Sequence, residues 1–125
     1  MIKIAVDMMG GDLGILENKK AIKALLGENT DIEFYLVGDE SRLGEFVNHP
    51  QCKIIHTDKY LDMGVEDPFA EFRKTPEHSL FKALTLLKNN QVDAVVSAGP
   101  TQAVVFGSHL IVGRLPKVRR LALAI

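Results

Sequence analysis

Two short stretches gather the groups that can do chemistry: Asp7-Met8-Met9-Gly10-Gly11-Asp12 and Ser97-Ala98-Gly99-Pro100-Thr101. Glycine permits positive φ and close backbone approach, so Gly10-Gly11 lets amides come near an anion. Ser97, Gly99 and Thr101 bring hydroxyls and amides to what reads as the start of a helix. A helix N-terminus holds unpaired donors and the positive end of a dipole, which suits phosphate. Asp7 and Asp12 repel an anion unless they orient a donor or hold a cation, and orienting a donor is the role that fits such a loop. Either stretch taken alone is also readable as plain punctuation, because any βα turn uses glycine and serine. The three spaced glycines of a dinucleotide fingerprint are absent, as is the lysine-bearing P-loop, so NAD and ATP lose ground and no cofactor is expected.

Elsewhere the reactive side chains are scattered. His49, His56, His78 and His109 lack metal-ligand spacing, and Glu66-Asp67 falls in an acidic stretch without a liganding pattern, so no metal is expected. Cys52 stands alone, which excludes an internal disulfide and fits a reducing cytoplasm. Arg73-Lys74 and the cluster Arg114, Lys117, Arg119 and Arg120 can neutralise an anion, although charge runs of this kind are usually solvated faces. A net charge of −1, with 46% hydrophobic and 25% charged residues, is an ordinary globular profile that demands neither nucleic acid nor a membrane surface. Met1 to Asp7 carry no basic region ahead of a long apolar stretch, and no apolar run approaches the roughly 20 residues that cross a bilayer. The expectation is a chain neither secreted nor membrane-spanning.

The elements that must position the two stretches follow from apolar spacing. Ile2, Ile4 and Val6 predict a central parallel strand ending at Asp7. From Ile15 to Leu26, Ile15, Ala21, Ile22, Leu25 and Leu26 repeat at helical spacing, and Gly27 supplies a stop. Ile32 to Val37 is a second strand ended by Gly38, after which Asp39 or Ser41 can cap a short helix holding Leu43, Phe46 and Val47. Lys53 to His56 is a third strand, and Asp58 to Pro68 has no period and reads as a mobile loop. A helix is expected from Thr75 or Pro76 to Asn89, a strand over Val92 to Val96, a helix from Gln102 to Val112, and a last strand over Leu121 to Ile125. Parallel strands need crossovers, nearly always right-handed, so the order predicts an α/β fold: a Rossmann-like three-layer αβα arrangement with helices on both faces of a mainly parallel sheet. The length, 125 residues, allows one core and one domain over residues 1–125. Ligands of open α/β sheets sit at the carboxyl ends of strands, which places both stretches at one end of the sheet, where they can share a cleft.

Ile4-Ala5-Val6-Asp7-Met8-Met9-Gly10-Gly11-Asp12 closely resembles the opening strand and D-x-M-G-G-D turn of the bacterial phosphate acyltransferase (PlsX) family. Leu36-Val37-Gly38-Asp39, Glu66-Asp67-Pro68, Arg73-Lys74, Ser79, Ala94-Val95-Val96-Ser97-Ala98-Gly99, Thr101, Ala103 and Val112-Gly113-Arg114 look like that family's landmarks in the same order. The resemblance implies an enzyme that moves a fatty acyl group from acyl carrier protein to inorganic phosphate, giving acyl phosphate for phospholipid synthesis. It implies a homodimer, cytoplasmic or peripheral to the membrane, and makes this chain the N-terminal portion of a longer enzyme. That enzyme's fold would be isocitrate/isopropylmalate dehydrogenase-like. It further implies substrate-binding roles for Asp7, Gly10, Gly11 and Asp12 in a first loop and for Ser97, Ala98, Gly99 and Thr101 in a second, with no general base assigned. The chain departs from the family at Leu13, where His is usual, at Pro100 and Gln102, where Asn and Gly are usual, and at Arg119-Arg120-Leu121. Proline has no N–H, so Pro100 removes one donor from the second loop. A catalytically inactive short relative, acting as a binding or interaction module, is the alternative.

Overall fold

Alternation along the first strand, β1 (Ile2–Asp7), sends Ile4 and Val6 to one face of a sheet and Ala5 and Asp7 to the other in the computed structural model of the chain, which describes residues 1–10, 14–28, 31–61, 64 and 67–113. The helix α1 (Gly14–Leu25) leads to β2 (Ile32–Gly38), and two 3₁₀ turns, Glu40–Arg42 and Gly44–Phe46, precede β3 (Cys52–His56). The helices α2 (Pro68–Lys74) and α3 (Ser79–Lys88) lead to β4 (Ala94–Ser97). The helix α4 (Thr101–Gly107) then continues into a π-wound turn, Ser108–Val112. The four strands form one sheet in the order β3-β2-β1-β4, with every neighbouring pair parallel. This is the Rossmann-like αβα arrangement expected from the alternation of elements.

The register of the sheet accounts for its two cores. Val6 lies opposite Leu36 on one side and Val96 on the other. On that face Val6, Phe34 and Leu36 pack with Ile15 and Ile22 of α1, with Leu43 between the two 3₁₀ turns and with Phe46 of the second. On the opposite face Ala5, Tyr35 and Val37 pack with Ala83 and Leu86 of α3. Beyond α3 a further apolar layer joins Leu80, Phe81 and Leu84 to Ala103 and Ile111. Gly107 lets α4 come this close: a Cβ there would stand 2.8 Å from Leu84 Cδ1. Among the described residues no helix is long and apolar enough to cross a membrane.

Several boundaries differ from those read off the sequence, each for a local reason. The stretch ending at Pro68 does not run on as irregular chain: Asp67 caps α2, its Oδ1 accepting from the Ala70 amide at 3.1 Å, and Pro68 opens the helix where a missing N–H costs nothing. Arg73 and Lys74 occupy the last turn of α2, where cations suit the negative end of the helix dipole. The helix expected from Thr75 or Pro76 begins instead at Ser79, because the Thr75 amide closes α2 on Glu71 O and the His78 amide turns back to Thr75 O. The short helix after Gly38 is two 3₁₀ turns, the first capped by Asp39, whose Oδ1 accepts from the Ser41 amide. The strand expected over 121–125 lies outside the described residues.

Candidate functional site

The chain leaves β1 outward to β2 and β3, then returns to the far side of β1 as β4, so the strand order reverses between β1 and β4. At such a reversal the loops leaving the two strands diverge to opposite faces and open a crevice at their carboxyl ends. Asp7 and Ser97, the last residues of β1 and β4, are register partners there. The two chemically rich stretches of the sequence therefore begin side by side.

Asp7 ties them together. Its side chain points to the α3 face and is 2% exposed. Oδ1 accepts from Ser79 Oγ at 2.5 Å and from the Met9 amide at 3.2 Å, and Oδ2 accepts from Ser97 Oγ at 2.8 Å. Ser97 Oγ in turn accepts from the Gly99 amide at 3.0 Å. Burying a carboxylate is costly unless donors replace its water, and these three donors do so. Ser79 is the first residue of α3, so the positive end of that helix also lies beside the carboxylate.

The network presses the two turns against each other. A Cβ on Gly10 would stand 2.7 Å from Asp7 Oδ2 and 3.0 Å from Gly99 N, so a larger residue there would displace the Asp7 carboxylate and crowd the Gly99 backbone. A Cβ on Gly99 would meet Ser97 Oγ at 3.1 Å. Glycine is needed at position 10 for close approach of two backbones, not for positive φ. On the α1 side, Asn18 Nδ2 donates to Met8 O and to Gly10 O, both at 2.8 Å.

Among the residues singled out from sequence, Asp7, Gly10, Ser97 and Gly99 are thus in mutual contact. Ala98 sits within the second turn, and Thr101 opens α4 with Pro100 as its cap residue, without a side-chain capping bond. Gly11 and Asp12 lie outside the described residues. The Ser97 hydroxyl and Gly99 amide, expected to face a ligand, are engaged inside the network and shape the turn. Asp7 accepts from hydroxyls and an amide of the two turns and α3. Ser79, a landmark of the resemblance, and Asn18 are not site residues on sequence grounds; the physical signals were a small hydroxyl near a helix start and a polar amide between Ile15 and Ile22 on the buried face of α1. The described histidine contacts are local: His49 Nδ1 accepts from the Gln51 amide, His56 Nδ1 from the Glu40 amide, and His78 Nε2 meets Glu71 Oε2 at 3.3 Å.

A family profile described as fatty acid synthesis protein matches residues 2–125. The chain is 37% identical over 130 residues to the phosphate acyltransferase of Aster yellows witches'-broom phytoplasma, covering 99% of this chain and 36% of that protein. It is 36% identical over 126 residues to the phosphate acyltransferase of Acholeplasma laidlawii, covering 99% of this chain and 38% of that protein. Against the phosphate acyltransferase of Moorella thermoacetica the identity is 41% over 127 residues, covering 98% and 37%. The chain therefore spans little more than a third of the length of these relatives.

Proposed function

The chain belongs to the fatty acid synthesis protein family, and from that premise we propose that it forms the N-terminal α/β portion of an acyltransferase that moves a fatty acyl group from acyl carrier protein to inorganic phosphate. The product is an acyl phosphate for phospholipid synthesis. The observation that carries the reading is the abutment of the Gly10 and Gly99 turns at the switch point between β1 and β4, clamped by Asp7. Gly10 belongs to one wall of the phosphate site, Gly11 and Asp12 are assigned to phosphate binding beside it, and Ser97, Ala98, Gly99 and Thr101 belong to the other wall. Asp7, Ser97 and Gly99 act by setting the shape of the walls.

Phosphate is already an anionic nucleophile, so the chemistry asks mainly for orientation and for stabilisation of the developing oxyanion. A phosphate oxygen attacks the thioester carbonyl carbon, the new C–O bond forms, and the C–S bond breaks. The thiolate leaves on the carrier's prosthetic arm and takes up a proton. Acyl carrier protein as donor, a homodimeric assembly and a cytoplasmic location, at most peripheral to the membrane, belong to the same proposal. The relatives named phosphate acyltransferase support it. A second reading, a non-enzymatic binding module, is favoured by one feature: Pro100 lacks an N–H and the Gly99 amide is turned inward, which thins the donors of the second wall.

The two readings separate in one assay. The complete gene product, incubated with acyl-ACP and inorganic phosphate, is expected to release acyl phosphate and free carrier thiol in equal amounts. Absence of both products from folded protein sinks the enzyme reading and leaves the module.

A further inference from the structure

We propose that Asn18 is a positioning residue for the phosphate site, holding the first wall in register with the second from the α1 side. The inference rests on the phosphate-site reading above and adds to it a residue outside both turns.

Asn18 Nδ2 lies 2.8 Å from two backbone carbonyls, Met8 O and Gly10 O. Two carbonyl oxygens around one atom require that atom to be the donor nitrogen, with one N–H for each, so the orientation of the amide group follows from its partners. The peptide unit joining Met8 to Met9 is held at both ends: its carbonyl by Asn18 and its N–H by Asp7 Oδ1 at 3.2 Å. A planar peptide gripped at both ends cannot rotate about its flanking bonds without losing a contact. The Met8 amide is also committed, donating to Val37 O at 2.9 Å in line with the strand ladder. Gly10 is the next point of control. Its carbonyl is held by α1, while the space a Cβ would need on it is taken by Asp7 Oδ2 and the Gly99 backbone. Asn18 and Asp7 therefore grip Met8 to Gly10 from opposite sides of the sheet, and the gap between the two walls depends on both. Asn18 is half-buried in the first half of α1, whereas its neighbour Leu16 is exposed to solvent. No other side chain of α1 has a described hydrogen bond to this turn.

Because Asn18 acts through the backbone of the turn, its loss should weaken phosphate binding more than it slows the step after binding. Asn18→Asp keeps the shape but sets a carboxylate oxygen against two carbonyls, and Asn18→Ser withdraws the donor from reach. In the complete gene product each is expected to raise KM for inorganic phosphate by about tenfold, with kcat and KM for acyl-ACP within about threefold of wild type. Gly10→Ala serves as the reference for damage to the wall itself, and Leu16→Ala for general loosening of α1. A phosphate KM unchanged in a folded Asn18 variant, or an equal rise in Leu16→Ala, overturns the role of Asn18. Failure of both Asn18 variants to fold also overturns it, since the residue would then serve folding alone. If Gly10→Ala leaves phosphate KM untouched, the phosphate-site reading itself falls, an outcome separate from failure at Asn18.

Discussion

Asp7 organises the site as a buried anion surrounded by donors, without a described cationic partner. Removing it leaves the Ser79 and Ser97 hydroxyls and the Met9 amide without their acceptor in a buried place. Hydrogen bonds to a charged group contribute about 1.5–3 kcal/mol each, and partial relaxation recovers some of that, so Asp7→Ala is expected to cost about 3 kcal/mol of folding stability. Urea unfolding of the 125-residue chain measures it. A loss below about 1 kcal/mol would show that the three donors find other partners and that Asp7 does not hold the turns together. Ser79→Ala removes one donor and keeps the other two, so its cost should be the smaller of the two.

Elements are joined to the sheet by contacts of two kinds, and each has its own signature. The helix α2 docks through Phe72, whose ring meets Phe81 edge-on at 5.0 Å between centroids, and through Glu71 to His78. With only seven residues it cannot hold itself helical in water. Phe72→Ala should therefore abolish amide-exchange protection in 68–74 while β1 and β2 keep theirs. Equal loss in β1 would mean that α2 is part of the global folding unit. The second kind is electrostatic: Glu45 in the second 3₁₀ turn is paired with Lys19 and with Lys23, the latter at 2.5 Å, both on α1. Hydrogen bonds from Lys19 and then Lys23 lower its pKa from the ordinary 4.5. A carboxylate with a depressed folded-state pKa stabilises fully above its unfolded value and loses that contribution as pH falls through the folded value. The window thus opens near pH 4.5 and extends downward. Glu45→Gln should narrow the drop in Tm between pH 7 and pH 3, and an unchanged drop would assign the acid sensitivity to other carboxylates. Added salt should shrink the difference at pH 7, because the pair is exposed to solvent.

On the scale of the whole molecule, β4 is an edge strand of the sheet among the described residues. Its described ladder partner is β1 alone, and Val96, on the α1 face, is 55% exposed. An apolar residue on a strand at the sheet edge invites pairing between chains. Val96→Lys should reduce self-association of the 125-residue chain in sedimentation runs while changing its unfolding free energy by no more than about 0.5 kcal/mol. A large destabilisation would show that Val96 is buried in solution.

The sequence by itself determined the strands, the helices on their two faces and the two turns where chemistry gathers, because apolar period and glycine placement are local signals. It led to the family through the residues from Ile4 to Asp12, whose order is specific in a way their physics is not. It did not reveal α2, whose seven residues carry too short a period to stand out from the acidic stretch before them. Nor did it place Ser79 and Asn18 at the site, since both reach it from helices that are distant in sequence from one or both turns. Only the tertiary structure decided that β4 returns to the side of β1 away from β2. That reversal makes Asp7 and Ser97 neighbours, lets one carboxylate serve two serines, and brings Gly10 against Gly99. Strand order depends on packing across the whole sheet, which no window of residues contains.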